Sequence, residues 1–171
     1  MNKGIKRVEH EFSSFLPLDA EILILGSFPS VKSRVNGFYY MHPQNRFYKV
    51  LSEIYHEDFY HGSIEEKKQL LAKYKIALYD VILSCDIIGS SDESIDHVVP
   101  IDLKEIMEHY PIQKIYLNGK KASSLFFKYF KDYTSLAITL PSTSPANCRY
   151  SLSNLVEEWK VIKKGAVEKP R

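Results

Sequence analysis

Cysteine is scarce in this chain. Only Cys85 and Cys148 occur, far apart and with no C-x-x-C spacing, which argues against a disulfide framework, a zinc ribbon or a four-cysteine iron–sulfur cluster. Buried free thiols are the plain reading. Charge of one sign is missing too: 23 Lys+Arg stand against 21 Asp+Glu, and a net charge of +2 does not by itself announce a polyanionic partner, although a near-neutral total can hide a one-sided distribution. Long apolar runs are absent. The longest, 77–84 and 21–26, are broken by charges or turn residues far short of a bilayer span, so no membrane segment is expected. The opening MNKGIKRVEHEF carries basic residues with no apolar stretch or small-residue cleavage site behind them, so no secretory signal is expected and a cytoplasmic location is the default. Glycine-rich phosphate loops are also lacking. Gly119-Lys120 is followed by Lys121 with no glycine five residues earlier, and G-x-G-x-x-G does not occur, which disfavours a nucleotide cofactor. The loop Gly26-Ser27-Phe28-Pro29-Ser30 departs from the G-x-S-x-G nucleophile elbow.

What is present is enough apolar material for one folded unit. With 44% apolar residues over 171 positions, a single domain spanning 1–171 is expected, with a basic tail from about residue 163. Aromatics make up 13%, including twelve Tyr and nine Phe, a content that suits either a stacking surface or a tyrosine-rich core.

Apolar patterning predicts strands at 21–26, 75–83, 114–118 and 136–140, and helices at 43–55, 64–74, 102–110, 119–130 and 151–162. Ser63 is expected to cap the second of these helices and Asp102 the third, with Glu65 and Glu66 complementing the first-turn dipole of the second. Residues 27–40 and 84–100 read as loops. Strands alternating with helices predict a three-layer α/β/α fold around a central, mostly parallel four-stranded sheet. Ligands bind such sheets at the carboxyl ends of the strands, so the loops after Gly26, Asp80, Asn118 and Leu140 should converge on one site.

Isolated residues give weaker signals. His56 and His61 bracket Glu57 and Asp58, but their spacing matches no familiar metal site, and solvated loop residues are the better reading. Asp80, after an apolar run, has the chemistry of a general acid or base, and equally that of a residue that holds a loop backbone. Asn45 alone reads as a cap for the following helix.

Taken together, four stretches are specific. G-S-F-P-S-x-x-S at 26–33, F-Y-Y-M-H-P-Q-N-R-F-Y-K-V-L at 38–51, the central Tyr79-Asp-Val-Ile-Leu-Ser-Cys-Asp86 with Gly89-Ser90 and Ser94-Ile95 after it, and Leu140-Pro-Ser-Thr-Ser-Pro-Ala-Asn147 follow one another in order. With the Asn118-Gly119 strand end, this pattern resembles the uracil-DNA glycosylase superfamily, and most of all its hypoxanthine-DNA glycosylase branch, over about 21–154. The resemblance implies excision of a deaminated base from DNA by a monofunctional glycosylase, with no metal or organic cofactor. DNA containing deaminated bases is then the partner, and a monomer is the expectation.

The resemblance also assigns residues. Where many relatives carry a water-positioning Asp or Asn, two residues after the first glycine, this chain has Phe28, which can stack on a base but cannot activate water. The branch hands the catalytic role to the asparagine of H-P-x-N, Asn45, whose amide can orient a water without titrating. Ser27, Phe28, Tyr40, His42, Asp80 and Asn118 are candidates for binding the base, with Phe28 and Tyr40 as a sandwich. Ser142, Thr143, Ser144, Pro145, Asn147 and Arg149 are candidates for gripping phosphates and filling the gap left by the flipped base. Three alternatives stay open: the same chemistry on uracil or thymine opposite guanine, a lesion-binding protein without catalysis, and a small-molecule-binding α/β domain.

Overall fold

The computed structural model describes residues 5–10, 12–29, 31–88 and 96–163. Its centre is the run Ile-Leu-Ile-Leu-Gly, which forms strand β2 (Ile22–Gly26), buried at every position. A strand with no polar face must be covered on both sides, as happens in parallel sheets. β2 pairs in parallel with β3 (Ile76–Asp80) and with β6 (Lys114–Asn118), and β6 pairs in parallel with β7 (Ala137–Leu140). The order is β3-β2-β6-β7.

Alternation along these strands sends side chains to two cores. Leu23, Leu25, Ala77, Ile115 and Leu117 face one core with α4 (Leu103–His109) and α5 (Lys120–Tyr129). Ile22, Ile24, Ile76, Leu78 and Tyr116 face the other with α2 (Phe47–Tyr55), α3 (Ile64–Lys73) and α6 (Leu152–Trp159). The expected three-layer α/β/α architecture with a four-stranded parallel sheet is therefore present. Ser63 caps α3 in a full capping box with Glu66, and Asp102 caps α4 through Glu105 N–H.

Four expectations need correction. The apolar run 76–83 is not one strand: at Val81 the chain leaves the parallel ladder, donating Val81 N–H to Gly26 O (2.8 Å) and Ile82 N–H to Ser27 O (3.1 Å). Residues 84–100 are not simply a loop, because β4 (Ile82–Ile88) and β5 (Asp96–Pro100) pair antiparallel within them. Their third partner is β1 (Ile5–Glu9), in a segment with no sequence-predicted element, and the second sheet runs β1-β4-β5. Arg7 pays for the polar residues of β4 by donating to Asp86 Oδ1 (3.2 Å) and Ser84 Oγ (2.9 Å). The 27–40 loop contains the short helix α1 (Val31–Asn36). Finally, α2 begins at Phe47 rather than Pro43, because 43–46 close a turn in which Asn45 N–H donates to His42 O (2.9 Å). The expected Ser30, Gly89-Ser90 and Ser94-Ile95 positions, and the tail beyond residue 163, lie outside the described residues.

Candidate active site

The carboxyl ends of β2, β3, β6 and β7 deliver Gly26, Asp80, Asn118 and Leu140 to one edge of the sheet, as α/β geometry requires. The register puts Gly26 beside Asp80 and Asn118 beside Leu140. Two clusters of polar side chains are built on this edge.

The first is ionic. Asp80 Oδ2 lies 2.9 Å from His10 Nε2, and the two side chains are 4% and 1% exposed. His10 reaches the site because the end of β1 is tied to β4, with His10 N–H donating to Leu83 O at 2.7 Å. The other carboxylate oxygen, Oδ1, lies so close to Gly26 that a Cβ there would sit 2.5 Å from it and 3.2 Å from the Tyr40 hydroxyl. Only glycine fits beneath this carboxylate. Tyr40 adopts a left-handed backbone (φ 60°), and its enclosed hydroxyl makes no well-formed hydrogen bond among the described residues, although the Asn118 amide is near enough to favour the ionised form slightly. Burial, and then the charge of Asp80, push the Tyr40 and Tyr39 hydroxyls well above their ordinary range and raise that of Tyr79. These hydroxyls are neutral donors at neutral pH.

Around this cluster the candidate aromatics are well packed. Phe28 is nearly buried, with His10 edge-on to its ring (centroids 5.9 Å) and the Arg34 guanidinium 5.7 Å from its centroid. The Tyr40 ring lies against Phe47, centroids 4.2 Å apart at 35°, so one of its faces is already occupied. Ser27 is half-buried and its carbonyl is taken by Ile82 N–H.

The second cluster is uncharged on its inner side. Asn118 Nδ2 donates to Thr143 Oγ1 (3.0 Å), and Thr143 N–H donates back to Asn118 Oδ1 (3.0 Å). Gly119 follows in a conformation with φ 99°, where a Cβ would be 2.9 Å from Ser142 Cβ, so the loop closes down only on glycine. Asn147 Nδ2 donates to Ser142 O, and Trp159 Nε1 to Pro141 O (2.8 Å). Arg46 binds the loop from the other side. Its guanidinium donates to the carbonyls of Tyr150, Asn147 (2.9 Å) and Ser144 (3.4 Å), and its backbone N–H to Thr143 O (3.0 Å).

Asn45 precedes Arg46 in the chain and is half-buried, with Oδ1 accepting Phe47 N–H at 2.9 Å. Its amide is thus oriented by the first turn of α2. His42 Nδ1 accepts Gln44 N–H at 3.1 Å in the same turn.

The sequence-derived candidates therefore divide. Ser27, Phe28, Tyr40, Asp80 and Asn118 gather at the strand ends, with Asn45 and His42 in the turn that leads into α2. Thr143 is fully enclosed and Asn147 spends its amide inside the loop, so both hold the loop's shape, while Ser142, Ser144 and Pro145 are half-buried and Arg149 is exposed. His10, Arg34 and Arg46 were not singled out by sequence. Arg46 had a signal, since it follows Asn45 within the H-P-x-N-R motif; His10, distant in the chain from Asp80, had none. Outside the site, His56 takes a left-handed conformation at the end of α2, and exposed His61 contacts Asp58 (Nδ1–Oδ2, 3.1 Å). Cys85 is buried and Cys148 exposed. Among the described residues no helix is long and apolar enough to cross a membrane.

Known proteins are similar to this chain. A hypoxanthine DNA glycosylase from Methanosarcina acetivorans is 31% identical over 156 residues, covering 91% of this chain and 98% of the relative. One of the same name from Methanosarcina barkeri is 32% identical over 112 residues, covering 65% of this chain and 71% of the relative. A solution NMR structure of a Methanosarcina acetivorans protein, described as a candidate uracil DNA glycosylase, superposes with a TM-score of 0.81 at 30% identity, over 95% of this chain and 98% of the other. The model of the uracil DNA glycosylase superfamily matches residues 13–164, which include Asp80, Asn118, the 142–150 loop and Asn45 but not His10. On that match the chain belongs to the uracil DNA glycosylase superfamily, and it is a DNA glycosylase.

Proposed function

We propose that this glycosylase removes hypoxanthine from deoxyinosine in DNA, leaving an abasic site, with Asn45 as the catalytic residue. The observation that carries the reading is the amide of Asn45, oriented by Phe47 N–H in the turn whose next residue, Arg46, ties the 142–150 loop to α2. The names of the two curated relatives and the presence of Phe28, where a water-activating residue would otherwise stand, support it.

The chemistry places modest demands on the protein. A mispaired base leaves the stack at a cost of a few kcal/mol. As the C1′–N9 bond breaks, its electron pair goes to the base and positive charge gathers on the sugar; a water then adds to C1′ and releases a proton. An electron-poor sugar needs an oriented water more than a strong base, and a fixed amide supplies orientation. Hypoxanthine offers O6 and N7 as acceptors and N1–H as a donor. Adenine lacks that N–H and carries an amino group at C6, so a pocket with the matching donors and acceptors rejects it.

Ser27, Phe28, Tyr40, His42, Asp80 and Asn118 form the base pocket in this reading. Ser142, Ser144, Pro145 and Arg149 face the DNA, while Thr143 and Asn147 shape the loop. The protein acts as a monomer in the cytoplasm. The test is a single-turnover assay on duplexes carrying deoxyinosine, uracil or thymine opposite each base, with alkali to reveal abasic sites. Cutting at deoxyinosine with little at uracil is expected, and loss of about 100-fold or more in rate in Asn45→Ala. Cutting mainly at uracil or thymine opposite guanine overturns the substrate, and an unchanged rate in Asn45→Ala overturns the role of that residue.

A further inference from the structure

The contact between His10 and Asp80 does more than tie the N-terminal strand to the sheet. His10 Nδ1 lies 2.8 Å from Phe12 O, and a carbonyl can only accept, so Nδ1 carries a hydrogen. Nε2 lies 2.9 Å from Asp80 Oδ2. A hydrogen must sit there as well, on the ring or on the carboxyl group, because two acceptors do not approach so closely without one. The pair therefore holds one more proton than a neutral imidazole beside a carboxylate. Both side chains are almost completely buried, and the rings around His10 are those of Phe12, Phe28, Tyr39 and Tyr79.

Asp80 Oδ1 is different from Oδ2. It makes no hydrogen bond among the described residues, whereas Oδ2 is taken by His10. An unpaired acceptor thus lies against the strand end at Gly26, and the unpaired Tyr40 hydroxyl, a donor, lies beside the same position. A donor and an acceptor left unmatched at one place cost stability unless a ligand supplies the reverse pattern. A ring N–H next to a ring C=O is such a pattern.

We infer that His10 is a positioning residue for base selection: as an imidazolium it holds Asp80 ionised and fixed, so that Oδ1 accepts the ring N–H of a lactam base while the Tyr40 hydroxyl serves the adjoining carbonyl. This rests on the substrate reading above and adds to it the residue that sets the acceptor. Adenine and cytosine, which present a bare ring nitrogen and an amino group, would face two mismatches.

The test has two independent readouts. Long-range ¹H–¹⁵N spectra of histidine-labelled protein, with His10 identified by its loss in His10→Gln, report the ring directly; both nitrogens protonated at neutral pH is expected, and one bare nitrogen overturns the ionised pair. Single-turnover rates on duplexes with deoxyinosine and with deoxynebularine, which lacks both the N–H and the carbonyl, report the selection. Wild type is expected to prefer deoxyinosine by about 100-fold or more, His10→Gln to keep that preference because its amide still donates to Asp80, and His10→Leu and Asp80→Asn to reduce it to about tenfold or less. A folded His10→Leu with the wild-type preference overturns the positioning role, and His10→Ala, smaller and equally without a donor, answers the same question if His10→Leu does not fold. A wild-type protein that cuts neither duplex overturns the substrate reading and the lactam assignment with it, while the spectra still decide the state of the pair.

Discussion

The two clusters at the strand ends are built from different chemistry. At Gly26 the chain holds a buried imidazole against a carboxylate, with three tyrosine hydroxyls near the same charge. At Asn118 it holds a loop by amide, hydroxyl and backbone bonds, with one guanidinium spread over three carbonyls. The first leaves a donor and an acceptor unpaired; the second pairs its groups with each other. A site that must recognise a polar edge needs unmet valences, whereas a loop that must stay put needs none. The contrast separates the part of the edge suited to reading a ligand from the part suited to holding the loop proposed to meet DNA.

The largest expected effect breaks the ionic cluster. Asp80→Ala leaves the buried His10 ring without its partner and should cost about 3–5 kcal/mol in urea unfolding at neutral pH. The double variant His10→Leu with Asp80→Leu should be less destabilised than Asp80→Ala, because removing both charges removes the penalty of an unpaired one. Additive losses in the double variant would show that the contact carries no coupling.

Next comes the neutral cluster. Arg46→Met keeps the stem of the side chain but strips donors from the carbonyls of Ser144, Asn147 and Tyr150, for an expected loss of about 2–3 kcal/mol. Its signature should differ from that of Asp80→Ala: faster amide exchange confined to the 142–150 loop, together with weaker binding of duplex DNA. Uniform exchange across the sheet would mean that Arg46 holds the core rather than the loop. Thr143→Val is a finer probe of the same wall, removing only the hydroxyl that accepts from Asn118, and should cost about 1–2 kcal/mol. An unchanged unfolding midpoint would remove that bond from the argument.

The two clusters also differ in how far the sequence disclosed them. The neutral one lies on elements with strong local signals: an apolar run ending in Asn118-Gly119, a proline-flanked Ser/Thr loop, and the H-P-x-N-R turn into α2. Even so, the burial of Thr143 was not legible, since a polar residue in a polar loop gives no hint that its hydroxyl is enclosed. The ionic cluster depends on β1, whose burial pattern shows one enclosed residue in five and so carries little periodicity. β1 pairs with β4 far along the chain, and β4 itself was hidden because its apolar start merges with β3 at Val81. Register between distant strands is a tertiary fact, and His10 became visible only with it. The Ser63 cap of α3, which needs nothing beyond residues 63–66, was legible, although Glu66 was read only as a first-turn charge and not as the reciprocal partner of Ser63 N–H.

The smallest expected effect at neutral pH sharpens the comparison most. Tyr40→Phe removes a hydroxyl with no well-formed hydrogen bond, so it should alter stability by no more than about 0.5 kcal/mol at pH 7, unlike the loss of the bonded Thr143 hydroxyl. Above about pH 10 the two proteins should diverge. Burial and Asp80 raise the folded-state pKa of Tyr40, so the folded protein keeps a proton that the unfolded chain gives up, and stability is lost as pH rises through the unfolded value. One such group contributes a slope of about 1.4 kcal/mol per pH unit, which Tyr40→Phe should abolish while the other buried tyrosines keep theirs. Urea unfolding at pH 7 and at several values above 10 measures both parts. A large loss at pH 7 would mean that the hydroxyl is bonded after all, and that the ionic cluster has no unmet donor to offer a base.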